Sequence, residues 1–157
     1  MFAVGDMIVY PMHGAGIIEK IEDRTILNET RPYYIVKVSY ADITIMVPVE
    51  NCESVGVRPI INGQSVKDVM CVLSAESSEM PSNWNRRYRE NIEKLKTGDI
   101  MEVAEVVRNL VRSDRIRKLS TGEKKLLTNA KQILLSEIVL AGNLDINEAG
   151  TMIEGAI

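Results

Sequence analysis

The chain has 157 residues, which suits one domain of ordinary size or two small ones. It is 45% hydrophobic and 26% charged, with a formal net charge of -3, the balance of a soluble globular protein. No apolar run approaches the roughly 20 residues of a membrane span, and MFAVGDMIVY lacks the basic start and long apolar stretch of a signal peptide. A cytoplasmic location is the default expectation.

Charge is distributed unevenly. Residues 1–77 hold 6 Lys+Arg against 10 Asp+Glu, whereas residues 84–131 hold 13 against 7. The stretch 132–157 has no basic residue. A positive block between negative ones suggests a localised anion-binding face; the alternative is an ordinary solvated helical surface.

The first 57 residues read as strands: MIVY (7–10), GIIEKIE (16–22), YYIVKVSY (33–40), ITIMVPV (43–49) and CESVGV (52–57). They are rich in Ile, Val, Tyr and Thr and are joined by short polar connections. Five short strands with tight turns predict a small curled SH3- or Tudor-like β-barrel rather than an open sheet. A hinge is expected near RPIINGQ (58–64), which contains Pro59 and Gly63.

From about residue 65 the period becomes helical. Ser65 and Asp68 can cap a short helix, SVKDVMCVLSA. Ser82 or Asn83 can cap WNRRYRENIEKLK, which stops at Thr97-Gly98. A third helix runs from Asp99 with Ile100, Val103, Val107, Leu110 and Val111 at 3,4 spacing. Ser120-Thr121-Gly122-Glu123 is a capping box opening a fourth, ended at Gly142, and DINEAGTMIEGAI is a weaker closing helix. The expected organisation is α+β: a barrel over residues 1–60, then a bundle of about five helices over residues 65–157.

Catalysis finds little support. His13 is the only histidine, and its Gly14 and Gly16 neighbours make a turn between strands, not a phosphate loop opening a helix. No Ser, Cys or carboxylate stands at a recognised spacing from it. Cys52 and Cys71 form no CxxC pair and read as small hydrophobes. No catalytic residue, metal or cofactor is expected.

The basic block offers more. Trp84, Tyr88, Ile92 and Leu95 form one helical stripe, so Trp84 reads as the start of a core face. It also stands in the first turn, where a side chain can project past the bundle, with Arg86, Arg87 and Arg89 on the other faces. An apolar wedge beside phosphate-binding arginines is a minor-groove device. Lys124 and Lys125 lie in the first turn of the fourth helix, where cations oppose the macrodipole, and Lys131 follows two turns on. Both readings of this surface stand on the residues alone.

VGDMIVYPMHGAGIIEKIEDRTI, VPVEN, PSNWNRRYRENIEKLKTGDI, VAEVVRNL, LSTGEKKLL and NAKQILL, in that order, closely resemble the CarD/CdnL family of bacterial transcription regulators. The resemblance covers almost the whole chain and is weakest over its final dozen residues. It implies a Tudor-like domain that binds the RNA polymerase β subunit partly by strand-edge pairing. The implied polymerase-binding positions are Arg24, Thr25, Ile26 and Met46; some relatives carry arginine where this chain has Met46. It also implies a helical domain that contacts promoter DNA without sequence preference, at the upstream edge of the bubble. There Trp84 enters the minor groove, and Arg86, Arg87, Arg89, Lys124, Lys125 and Lys131 face the phosphates. The implied function is stabilisation of the open promoter complex by a monomer that is not an enzyme. The competing reading is an adaptor whose bundle docks an acidic protein partner.

Overall fold

The computed structural model describes residues 1–157 and divides into an N-terminal sheet and five α-helices. The strands are β1 (Met7–Tyr10), β2 (Gly14–Ile26), β3 (Glu29–Val38), β4 (Thr44–Pro48) and β5 (Arg58–Pro59). They form an antiparallel sheet in the order β4-β3-β2-β1-β5. This is the five-stranded α+β layout expected of a Tudor-like domain with a helical C-terminal part, although β4 and β5 are not hydrogen-bonded to one another.

Two sequence expectations need correction here. CESVGV is not a strand: residues 52–57 form turns, and the fifth strand is the following Arg58-Pro59 pair. Cys52 and Val57 instead point into the core beneath the sheet, alongside Ile8, Ile18, Tyr34, Val36 and Val47. Nor is the stretch between GIIEKIE and YYIVKVSY, which includes LNETRP (27–32), one of the short polar connections expected between strands. β2 and β3 run on to Ile26 and Glu29, and Leu27-Asn28 alone make the turn, both with positive φ. Those signs are what a tight two-residue hairpin requires to match strand twist. Gly16 makes the sheet possible, since it pairs with Ile8 on one side and Val38 on the other. A Cβ there would collide with the Lys37 carbonyl oxygen.

The helices are α1 (Val66–Ser74), α2 (Trp84–Lys96), α3 (Ile100–Ile116), α4 (Thr121–Gly142) and α5 (Ile146–Ala156). Asn83, Asp99, Ser120 and Asp145 cap α2 to α5, each accepting from a first-turn amide. Ser65 does not cap α1 with its side chain; Asn62 Oδ1 accepts from the Ser65 amide and opens a short 3-10 turn. α4 ends at Gly142 as expected, and Asn143 caps it in the left-handed region. The helical core is centred on α3 and α4, with Val106, Val107, Leu110, Leu134 and Ile138 fully buried.

Residues 58–64 are anchored, not a free hinge. Arg58 sends Nη1 and Nη2 to the two carboxylate oxygens of Glu137 on α4, at 2.8 and 2.7 Å. Its Nε and Nη2 also reach the Gly98 carbonyl, at 2.9 and 2.7 Å. The Ile61 amide donates to Glu137 as well, at 2.9 Å. On the residue just before Glu137, Ser136 Oγ accepts from the Ala15 amide of β2, and the Ser136 carbonyl accepts from Ser39 Oγ. The sheet and helices are therefore joined through α4 by buried, directional bonds.

Candidate nucleic-acid interface

The tryptophan site is built where the first turns of α2 and α4 meet. Asn83 starts α2 and so sets Trp84 at its first position. Trp84 is 41% exposed. Its ring stacks on Tyr88, with centroids 5.1 Å apart and planes 13° from parallel. Its Nε1–H donates to Ser120 Oγ at 2.8 Å. Its far edge rests on Gly122, where a Cβ would stand 3.2 Å from Cζ2. One face and the polar edge are thus fixed while the rest of the ring meets solvent. Tyr88, Ile92 and Leu95 continue the stripe inward, and Leu95 is fully buried.

Ser120 carries three bonds, the full capacity of a hydroxyl. It accepts from Trp84 Nε1 and from the Glu123 amide, and it donates to Glu123 Oε1 at 3.4 Å. Glu123 does not reach back to the Ser120 amide as a capping box would. Its carboxylate is taken by Arg87, with Nε and Nη2 at 2.8 and 3.0 Å. Arg87 Nη1 spans the Pro81 and Ser82 carbonyls. The bond to Glu123 holds the guanidinium pKa above its ordinary value.

Arg87 therefore departs from the expected phosphate contact. Its donors face inward, and it clamps α2 to α4 beneath the tryptophan. Arg86 and Arg89 are exposed; Arg86 pairs with Glu90 at 3.2 Å, a surface contact of small energy, and Arg89 has no carboxylate partner. Lys124 and Lys125 are exposed and unpaired on α4, and Lys125 shares the Gly122 face three residues on. Lys131 stands roughly 10 Å along the helix from Lys124 and pairs with Glu154 of α5 at 3.1 Å. It is the outlier of the expected set.

Two further arginines of the basic block are structural. Arg108 and Arg112 donate to Val72, Leu73 and Ala75 carbonyls and so finish the C-terminal end of α1. The sequence pattern missed Gly122 and Glu123 as parts of the tryptophan site. A glycine inside a helix's first turn was the available signal, because it is unfavourable there unless something approaches closely.

The other predicted group lies on the sheet. Cross-strand partners share a face, so Lys20, Ile35 and Met46 form one row, Glu22, Tyr33 and Pro48 the next, and Arg24 stands opposite Arg31. Arg24, Ile26 and Met46 are exposed on this one outer face. Thr25 points to the other face, where its hydroxyl bonds Thr30 at 2.8 Å. β1 pairs with β2 only as far as Ile17, so the outer edge of β2 at Arg24–Ile26 has no neighbouring strand.

Comparison with known proteins covers both parts. Residues 2–61 match the CarD-like/TRCF RID domain, an RNA polymerase-interacting domain. Residues 68–154 match the family described as CarD, C-terminal domain. YdeB of Bacillus subtilis (strain 168), whose name describes a transcription factor, is 43% identical over 138 residues, which is 88% of this chain and 90% of that protein. The chain belongs to the CarD/CdnL family of transcription factors, with an RNA polymerase-interacting domain followed by a helical domain.

Proposed function

We propose that this protein stabilises the open promoter complex. The outer face and free edge of the β2–β3 hairpin bind the polymerase β subunit, and Trp84 wedges the minor groove at the upstream edge of the bubble. The observation that carries this reading is the fixed, half-exposed tryptophan. An aromatic ring locked by a stack and a hydrogen bond loses little freedom when it inserts, so insertion costs little ordering entropy. Arg86, Arg89, Lys124 and Lys125 supply charge around it for phosphates, without reading base edges. Arg87 and Ser120 position the ring and do not touch DNA.

The sheet supports the other half. A free strand edge beside exposed Arg24 and Ile26 suits strand addition by a partner, with main-chain bonds giving affinity and side chains giving specificity. Met46 offers an apolar contact on the same face where some relatives carry arginine. Tethering to polymerase raises the local concentration of the helical domain, so a weak, sequence-independent DNA contact suffices. The protein then shifts the promoter toward the open state by its difference in affinity for open and closed DNA.

Trp84→Ala tests this. It is expected to leave polymerase binding intact and to shorten open-complex lifetime by about tenfold, the order of one base–aromatic contact. Equal lifetimes would remove the wedge from the reading. A DNA contact also weakens log-linearly with salt at a slope set by the phosphates engaged. A helical domain that ignores promoter DNA at low salt but captures an acidic protein would establish the adaptor instead.

A further inference from the structure

A cleft of about 430 Å³ opens beside the tryptophan site, between the 78–82 segment and the α3–α4 loop. That volume lies within the range of small-ligand sites. Its floor includes the Arg87–Glu123 pair, so the one carboxylate there is already neutralised. Met80, Ile116 and Leu119 give it an apolar shelf, and Arg117, Lys118 and Ser82 line its polar side. Neither Arg117 nor Lys118 makes a side-chain hydrogen bond or ion pair, unlike Arg87, Arg108 and Arg112 around them. Ile116 is 89% exposed at the rim, an unusual place for a bare aliphatic side chain, directly before the two free cations Arg117 and Lys118.

Position matters as much as chemistry. Leu119 of the cleft precedes Ser120, which holds the Trp84 indole. The Leu119 amide donates to Asp114, which fixes the loop between them. A strand separated at Trp84 thus has a polar-and-apolar recess beside the residue that holds the indole.

We propose that this cleft takes a single unstacked nucleotide of a separated DNA strand. The base rests on the Met80–Ile116–Leu119 shelf, and the phosphate lies between Arg117 and Lys118. The inference rests on the DNA-wedge reading and adds to it a reason for preferring melted over paired DNA. Apolar contact with a base and charge for its phosphate are the two elements of single-strand binding, and an unpaired nucleotide spares the unstacking cost that a duplex imposes.

The test is fluorescence anisotropy at low salt with two labelled DNAs: a blunt duplex and the same duplex carrying a short single-stranded overhang. The wild-type protein is expected to bind the overhang DNA more tightly. Arg117→Ala with Lys118→Ala should weaken overhang binding about tenfold while weakening the duplex far less, and Ile116→Ser should lower only the overhang preference, by about threefold. Both sites are exposed, so the variants keep the fold. Equal losses on the two DNAs, or no loss, overturn the cleft. If wild-type protein binds both DNAs equally and Trp84→Ala weakens both, the cleft fails while the wedge survives. If neither DNA is bound, both readings fall.

Discussion

Glu137→Ala perturbs the joint between sheet and helices most directly. The Glu137 side chain is 3% exposed and accepts three bonds, two from Arg58 and one from the Ile61 amide. Removing one partner of a buried pair costs about 3–5 kcal/mol, because the other charge is left behind. Arg58 is partly open to solvent and keeps the Gly98 carbonyl. That moves the expected loss to the low end of this range, about 3 kcal/mol. The sheet's buried cluster is small, and a unit of about 60 residues is marginal alone. Weakening the joint should therefore let the sheet unfold first. In denaturant, Trp84 fluorescence reports the helical part and amide exchange of β3 reports the sheet; the two transitions should coincide in the wild type and separate in the variant. A double-mutant cycle with Arg58→Ala should give a coupling of about 1.5–2 kcal/mol. A loss below about 0.5 kcal/mol, or coincident transitions with no coupling, would mean that Arg58 and Glu137 do not hold the joint.

Gly122→Ala should raise α4 stability by up to about 1 kcal/mol through helix propensity, yet push on the Trp84 ring from 3.2 Å; the indole emission should change, and an unchanged spectrum would mean the ring is not seated there. Glu105 accepts from Ser78 Oγ at 2.6 Å and from Lys94 at 2.9 Å, and these bonds hold its carboxyl below the ordinary glutamate range. A lowered folded pKa gives stability that is complete above about pH 4.3 and fades as pH falls through the folded value. Denaturation midpoints measured from pH 5 downward should therefore fall less steeply for Glu105→Gln than for the wild type; parallel curves would count against the linkage.

Much of this architecture was legible in the sequence because its signals are local. The 3,4 spacing in α3, the caps at Asn83 and Ser120, and the alternation in β1 and β3 each depend on near neighbours. The composition could not say which cations are free, since that depends on distant carboxylates. Arg87 and Arg86 look alike in NRRY, yet one is clamped on the buried Glu123 and the other makes only an exposed surface pair with Glu90. The hairpin was underestimated because Leu27 is an unusual residue for a left-handed turn position, so turn chemistry did not announce it.

Two structural regimes, the helix starts and the first-turn place of Trp84 follow from local sequence signals alone. The tertiary structure alone decided that this ring is half-exposed and held, because Tyr88, Ser120 and Gly122 reach it from two helices. It also decided that the presumed hinge is a joint, because Arg58 and Glu137, 79 positions apart, meet across α4. Local pattern fixes how a segment coils; only packing between distant segments fixes what each charge and each ring is left free to do.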